Sequence, residues 1–311
     1  MLLFSALFFK IVSILLSVII GYIAGRTEKV ERESIASLLF YFIAPIVFFS
    51  IPASASLSFA DIGIAFITFS ISCLLCFIAY HMYDRYWDNE SRNILATSAG
   101  SGNTGYFMLP IAASLFDDYT LSIYMMAVVG VNIYESSVGY YVCARSISST
   151  RESIKQVLRL PMLHAFTVGC VCSLLGLTLP DFLDDFVFNM RGAYSILGMM
   201  MIGLGMSRLK NFEIDYKFTA AAFFSKFIVF PVVMYAFIML DKLVLKWYDT
   251  SEHQALILLS SAPIAANTIV ISSIMKFHPE RVATSVLLSC LFTLLFIPLI
   301  ATFTIGVSGA F

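Results

Sequence analysis

Ten stretches of roughly 20 mostly apolar residues follow one another along this chain, and that succession confines the fold to helices crossing a bilayer. They run approximately 3–25, 34–53, 59–80, 93–115, 120–142, 161–179, 186–208, 217–240, 254–275 and 282–306. An apolar run of about 20 residues spans the hydrocarbon core as one helix. Composition agrees. Hydrophobic residues make up 59% of the 311 and charged residues 13%, with a mean hydropathy of +0.89. A soluble domain carries roughly 25% charged residues, so there is no solvated shell here and lipid is the main solvent. The connectors are short and none holds a soluble domain. One transmembrane transporter domain over 1–311 is expected. The first run has no basic leader and no small-residue cleavage site, so it reads as a retained helix rather than a signal peptide. The six cysteines all fall in apolar runs and read as buried thiols.

The net charge of −1 says little, and no nucleic-acid partner is expected. The placement of charge says more. Basic residues gather in alternate connectors: Arg26, Lys29 and Arg32; Arg85 and Arg92; Arg145, Arg151, Lys155 and Arg159; Arg208, Lys210 and Lys217; Lys276 and Arg281. The connectors between these are poor in base, except around Lys242 and Lys246. Positive charge marks the cytoplasmic side. The expectation is therefore a multi-pass protein of the cell membrane with both termini on the non-cytoplasmic side.

Two of the ten runs are interrupted. Asn103-Thr104 lies in Ser98-Ala99-Gly100-Ser101-Gly102-Asn103-Thr104-Gly105, followed by Pro110; Asn267-Thr268 lies in Ser261-Ala262-Pro263-Ile264-Ala265-Ala266-Asn267-Thr268. Glycine and proline weaken helices, and Asn and Thr bring polar groups where lipid offers no partner. These are the fourth and ninth runs, so each is the fourth of a set of five. An odd number of spans per half enters the membrane upside down the second time. The predicted fold is all-α: ten transmembrane helices as two inverted five-helix repeats (approximately 1–145 and 155–311) with crossed broken helices 4 and 9. Paired broken helices in corresponding halves are the best sequence pointer to a transport site.

If the fourth span unwinds near Gly100 to Gly105, its second half begins near Tyr106. The ninth would restart near Asn267. Two helix N-termini then meet at mid-depth, each with roughly half a positive charge and unpaired N–H groups, together matching about one carboxylate. Gly102, Asn103, Thr104, Gly105, Pro263, Asn267 and Thr268 are thus candidate substrate-binding residues; capping of the breaks is the structural alternative. Lys226 lies well inside the eighth span, where a lysine costs about 2.5–3.5 kcal/mol. It is expected to face the interior, attracting an anion or pairing with Glu135. Glu135 and Asn132 are the candidates for proton or ion coupling. Lys10, in the first span, reads as snorkelling to the surface.

At these residues the chain resembles the auxin efflux carrier family, in its short bacterial form. Gly102-Asn103-Thr104-Gly105 leading to Leu109-Pro110-Ile111 resembles that family's fourth-helix signature. Asn132 to Gly139, Lys226 with Pro231, Ala262-Pro263, and His278-Pro279-Glu280-Arg281 through Ser289-Cys290-Leu291 and Pro298 resemble later segments. One departure is Tyr194-Ser195-Ile196-Leu197-Gly198, where a proline is expected. The resemblance implies two inverted repeats, transport of organic anions such as carboxylates, and a homodimer.

The leading functional reading is a secondary transporter, a permease or efflux carrier, moving a small organic anion by alternating access with H⁺ or Na⁺ as a candidate coupling ion. The alternatives are an anion-selective channel, or an ion-coupled symporter of a related inverted-repeat fold. No phosphate-binding loop is present, and no cofactor or metal is expected. No span offers two acids or an HExxH pattern, so an intramembrane enzyme is not expected.

Overall fold

The computed structural model describes residues 2–27, 30–54, 59–105, 107–145, 151, 155, 159, 161–177, 179–207, 214–275 and 277–302. Tyr106, Lys29, Lys210, Lys276 and the side chain of Lys10 lie outside what is described. Among the described residues all regular structure is helical and there is no strand.

The chain begins with α1 (Leu2–Arg26). Next, α2 (Arg32–Leu38) runs through a π-turn at Leu39–Ile43 into α3 (Ala44–Ser54), and α4 (Phe59–Tyr83) follows. A non-helical stretch, 101–107, separates α5 (Asn89–Gly100) from α6 (Met108–Leu115). Then α7 (Asp118–Tyr134) continues through a π-turn at Glu135–Gly139 into α8 (Tyr140–Ala144). After α9 (Pro161–Leu174), a 3₁₀ turn at Asp181–Leu183 leads into α10 (Asp184–Ser207). The pattern of bulged helix and broken helix then recurs. A π-turn at Ser225–Val229 joins α11 (Tyr216–Phe224) to α12 (Phe230–Leu240), which ends in another at Asp241–Leu245. The stretch 261–266 separates α13 (Thr250–Ser260) from α14 (Asn267–Met275), and α15 (Pro279–Ile300) follows.

Among the described residues, five uninterrupted stretches are long and apolar enough to cross a membrane: Gly63–Tyr83, Tyr119–Ala144, Asp181–Ser207, Tyr216–Leu245 and Arg281–Ile300. Ile11–Arg26, Tyr41–Ser54 and His164–Leu174 are shorter apolar helices. The interrupted segments do not qualify because their pieces are 12, 8, 11 and 9 residues long. The outer surface is apolar as lipid requires: Phe66, Phe77, Val232 and Leu295 are all more than half exposed. The chain is a multi-pass membrane protein.

Helix starts at the connectors are fixed by acids. Asp88 accepts from Ser91 N at 2.7 Å, Asp117 from Thr120 N at 2.9 Å and Asp215 from Phe218 N at 3.0 Å. Asp249 and Glu252 form a capping box at α13. Such caps satisfy N–H groups that a helix leaves orphaned. The backbone N–H of Ser91 holds the Asp88 carboxyl below its usual range, and hydrogen bonds from Thr120 do the same for Asp117. A carboxyl lowered by folding contributes stability above its unfolded pKa, about 3.9 for Asp, and loses it as pH falls through the folded value. These caps therefore hold throughout the neutral range.

In lipid there is no hydrophobic drive between helices, so close packing must supply association. Several close contacts are made over glycine. A Cβ on Gly21 of α1 would lie 2.2 Å from Met200 O of α10, and one on Gly203 of α10 would lie 2.0 Å from Val18 O. Gly169 brings α9 equally close to Phe49 of α3, and Gly130 brings α7 to Ala65 of α4. The main pairings are thus α1 with α10, α3 with α9, and α4 with both α5 and α7. Replacing Gly203 by Val is expected to lower the melting temperature and the folded yield in mild detergent, because backbone must move. Gly192→Ala, where the added carbon meets nothing within 4 Å, is the control expected to leave both unchanged.

Candidate functional site

The two interruptions form for different local reasons. After Gly100 the chain turns extended at Ser101 (φ −103°, ψ 170°), in a run with too little side chain to favour helix. In the second, Pro263 has no N–H to give and cannot continue the α13 ladder. That helix closes with Ser261 N on Leu258 O and Ala262 N on Leu259 O. Both breaks are buried, so every freed polar group needs a partner.

Several partners come from the breaks themselves. Asn103 N donates to Pro263 O at 2.8 Å, joining one interruption to the other. The Asn103 side chain accepts from Phe107 N at 3.1 Å, and its carbonyl accepts from Met108 N at 3.2 Å, which starts α6. Neighbouring helices supply others. Tyr124 of α7 donates to Thr104 O at 3.0 Å, and Ser289 of α15 accepts from Ile264 N at 3.0 Å.

Two charged side chains complete the arrangement, and each stands in a π-turn. Glu135 opens the turn after α7, and Lys226 lies in the turn before α12. Glu135 Oε1 accepts from Gly102 N at 3.2 Å, while Oε2 accepts from Asn267 Nδ2 at 2.8 Å. One carboxylate therefore bridges both interruptions. Lys226, with no exposed surface, donates to Ser101 O at 2.6 Å and sits 4.0 Å from the centre of the Phe230 ring. Ser101 C=O and Gly102 N–H belong to one peptide group, and in a trans peptide they point opposite ways. The ammonium and the carboxylate thus grip the two ends of a single peptide unit. No direct ion pair within 4 Å joins Lys226 to Glu135 among the described contacts. Glycine is required beside this grip, since a Cβ on Gly102 would lie 2.7 Å from Lys226 Nζ.

A cavity of about 10 Å³ adjoins the crossing, lined by Gly102, Asn103, Gly105, Asn132, Tyr194, Ala265, Ala266 and Asn267. That is close to the room one water needs. Of the residues expected from sequence, Gly102, Asn103, Gly105, Asn132 and Asn267 line it. Glu135 and Lys226 stand behind the Ser101–Gly102 peptide, and Pro263 supplies the carbonyl that joins the breaks. Thr104 is buried, and the Thr268 hydroxyl turns back to Ala265 O at 2.5 Å. Asn132 Nδ2 is turned to Val128 O at 3.0 Å. Sequence reasoning missed Ser101, Ser289 and Tyr194. The last stands where the resemblance led one to expect proline, and its ring edge lies 3.2 Å from a Cβ position on Gly105.

The relatives of this chain are transporters. A model of the Sodium Bile acid symporter family matches residues 192–309, a stretch holding Lys226, Pro263, Asn267 and Thr268. An uncharacterized transporter of Methanocaldococcus jannaschii is 24% identical over 302 residues, covering 92% of this chain and 95% of that protein. These matches correct the resemblance drawn from sequence motifs: neither points to the auxin efflux carrier family. The most specific of the motifs that suggested it are Gly, Pro, Asn and Thr at a helix interruption; the others are short segments in later helices. Those residue types are what breaking a helix in lipid requires, so they track the architecture and not one family.

Removing the bridging carboxylate leaves the buried Gly102 N–H without its acceptor, at about 1–3 kcal/mol, and takes one partner from the half-buried Asn267 amide. Glu135→Ala is expected to lower thermal stability in detergent clearly. Glu135→Gln, which keeps one carbonyl acceptor, loses less. Equal melting temperatures for wild type and Glu135→Ala would show that the bridge does not hold the crossing.

Proposed function

We propose that this protein is an ion-coupled secondary transporter, a symporter, that moves a small organic anion by alternating access about the two joined interruptions. The observation that carries the reading is the crossing itself: a hydrogen bond from Asn103 N to Pro263 O, with Glu135 bound to both breaks. Unwound carbonyls and a carboxylate offer oxygen ligands to Na⁺ or a site for a proton. Backbone N–H groups at half-helix starts, the Asn103 and Asn267 amides and the Lys226 ammonium offer donors to an anion. A family described by sodium and bile acid, itself a carboxylate, supports both halves of that assignment.

In this reading the ten spans form two inverted repeats, approximately 1–145 and 155–311, with the termini on the non-cytoplasmic face. The helix pairings support it. Under an exchange of span n with span n+5, the pairing of spans 1 and 7 maps onto that of spans 2 and 6. Those are the pairs α1–α10 and α3–α9. Substrate binding is assigned to Gly102, Asn103, Thr104, Gly105, Pro263, Asn267, Thr268 and Lys226, and ion coupling to Glu135 and Asn132. The cavity is too small for any organic anion, so substrate entry requires the joined breaks to part or their neighbours to move.

Uptake of radiolabelled mono- and dicarboxylates into proteoliposomes, under imposed Na⁺ or H⁺ gradients, tests the proposal. Saturable uptake driven by one of these gradients is expected. A hydrogen bond to a charged group contributes about 1.5–3 kcal/mol, so Asn103→Ala and Asn267→Ala should each lower uptake at least about tenfold while the protein remains inserted. Wild-type rates in both variants would refute the site. Large unitary currents in planar bilayers would establish the channel alternative.

A further inference from the structure

A cavity of about 630 Å³ lies away from the interruptions, between α4, the start of α5 and the stretch from Val138 to Arg145. Its two walls share one polarity gradient. Along α4 it passes from Cys73 and Phe77 to His81, eight residues or about 12 Å of helix axis. Along the facing wall it passes from Val138 and Val142 to Arg145. Arg92 stands at the polar end. It is held by Asp84 and by Asn93 Oδ1 at 3.2 Å, and lies 4.1 Å from the centre of the Tyr80 ring. A guanidinium has five donors, and these contacts use two.

The apolar end meets the lipid-facing surface. Phe66, Leu74 and Phe77 form an exposed stripe on α4, at 70%, 48% and 62%. A soluble substrate gains nothing from such a wall. A molecule with a chain in the bilayer and an anionic head at its edge fits both ends. Basic pockets between membrane helices are the usual seat of anionic headgroups. We propose that this groove binds an anionic phospholipid, with an acyl chain along Cys73, Phe77 and Val138 and its phosphate at Arg92 and Arg145. The proposal stands apart from the transport site.

Native mass spectrometry of the purified protein, titrated with phosphatidylglycerol or phosphatidylcholine, tests it. Wild type is expected to retain phosphatidylglycerol preferentially. Each arginine removed should weaken retention about fivefold, so the Arg92→Ala/Arg145→Ala variant should lose nearly all of it. Arg26→Ala, a basic residue outside the groove, should retain it fully. Val142→Trp, which fills the apolar part, should also lose it. Should the double variant fail to fold, Arg145→Ala alone, at an exposed position, gives the reading. Unchanged retention in the arginine variants, or no preference in wild type, overturns the proposal. So does equal stabilisation by soluble glycerol phosphate, which would make the groove a site for a soluble anion.

Discussion

The structure depends on one constraint: backbone polar groups removed from water must find partners inside the protein. A continuous helix meets it without help. This chain breaks two helices in its buried centre, and the rest of the arrangement follows from where the freed groups go. The Ser101–Gly102 peptide is the tightest case. Its carbonyl is held by an ammonium and its N–H by a carboxylate, each from a different helix. Because that carboxylate also holds Asn267, the second break is positioned by the same charge as the first. The two breaks are therefore one assembly.

Elsewhere the helices associate differently. The α1–α10 and α3–α9 pairs meet over glycine, with backbone close against backbone. Hydroxyls within helices mostly fold back to their own carbonyls, as Thr68 does to Ile64 O while reaching Ala127 O across the α4–α7 contact. Polar bonds join helices outside the crossing as well: Tyr83 OH donates to Ala221 O at 2.7 Å, and Thr97 to Gly139 O at 3.1 Å.

The interruptions were legible in the sequence because Gly, Pro, Asn and Thr act locally, and the break of a helix is a local event. The apolar runs were legible for the same reason. The position of Glu135 was not. Its role rests on reaching Gly102 and Asn267, which lie 33 and 132 residues away, and no periodicity reports such distances. Lys226 could be inferred to face inward from the cost of exposing it to lipid, but its partner, a backbone carbonyl, has no residue signature. Family membership was misread for a related reason. The motifs used are a few short segments, whereas the similarity to a transporter extends over 302 residues and the match to a symporter family over 192–309.

The π-turns at Glu135 and Lys226 have a consequence of their own. A π-turn accommodates one residue more than an α-helix would over the same rise. Each of these two charges thus stands where a single surplus residue resets the angle between the helix before it and the helix after it. Deleting one residue within 135–139 would let the helix revert to ordinary winding and swing everything beyond it by about 100°. Descent with loss of that residue would leave a chain of almost identical composition and hydropathy in which α8 no longer stood at the same angle to the Glu135 carboxylate. A homologue's length at these two points therefore carries more information about its chemistry than its overall percentage identity.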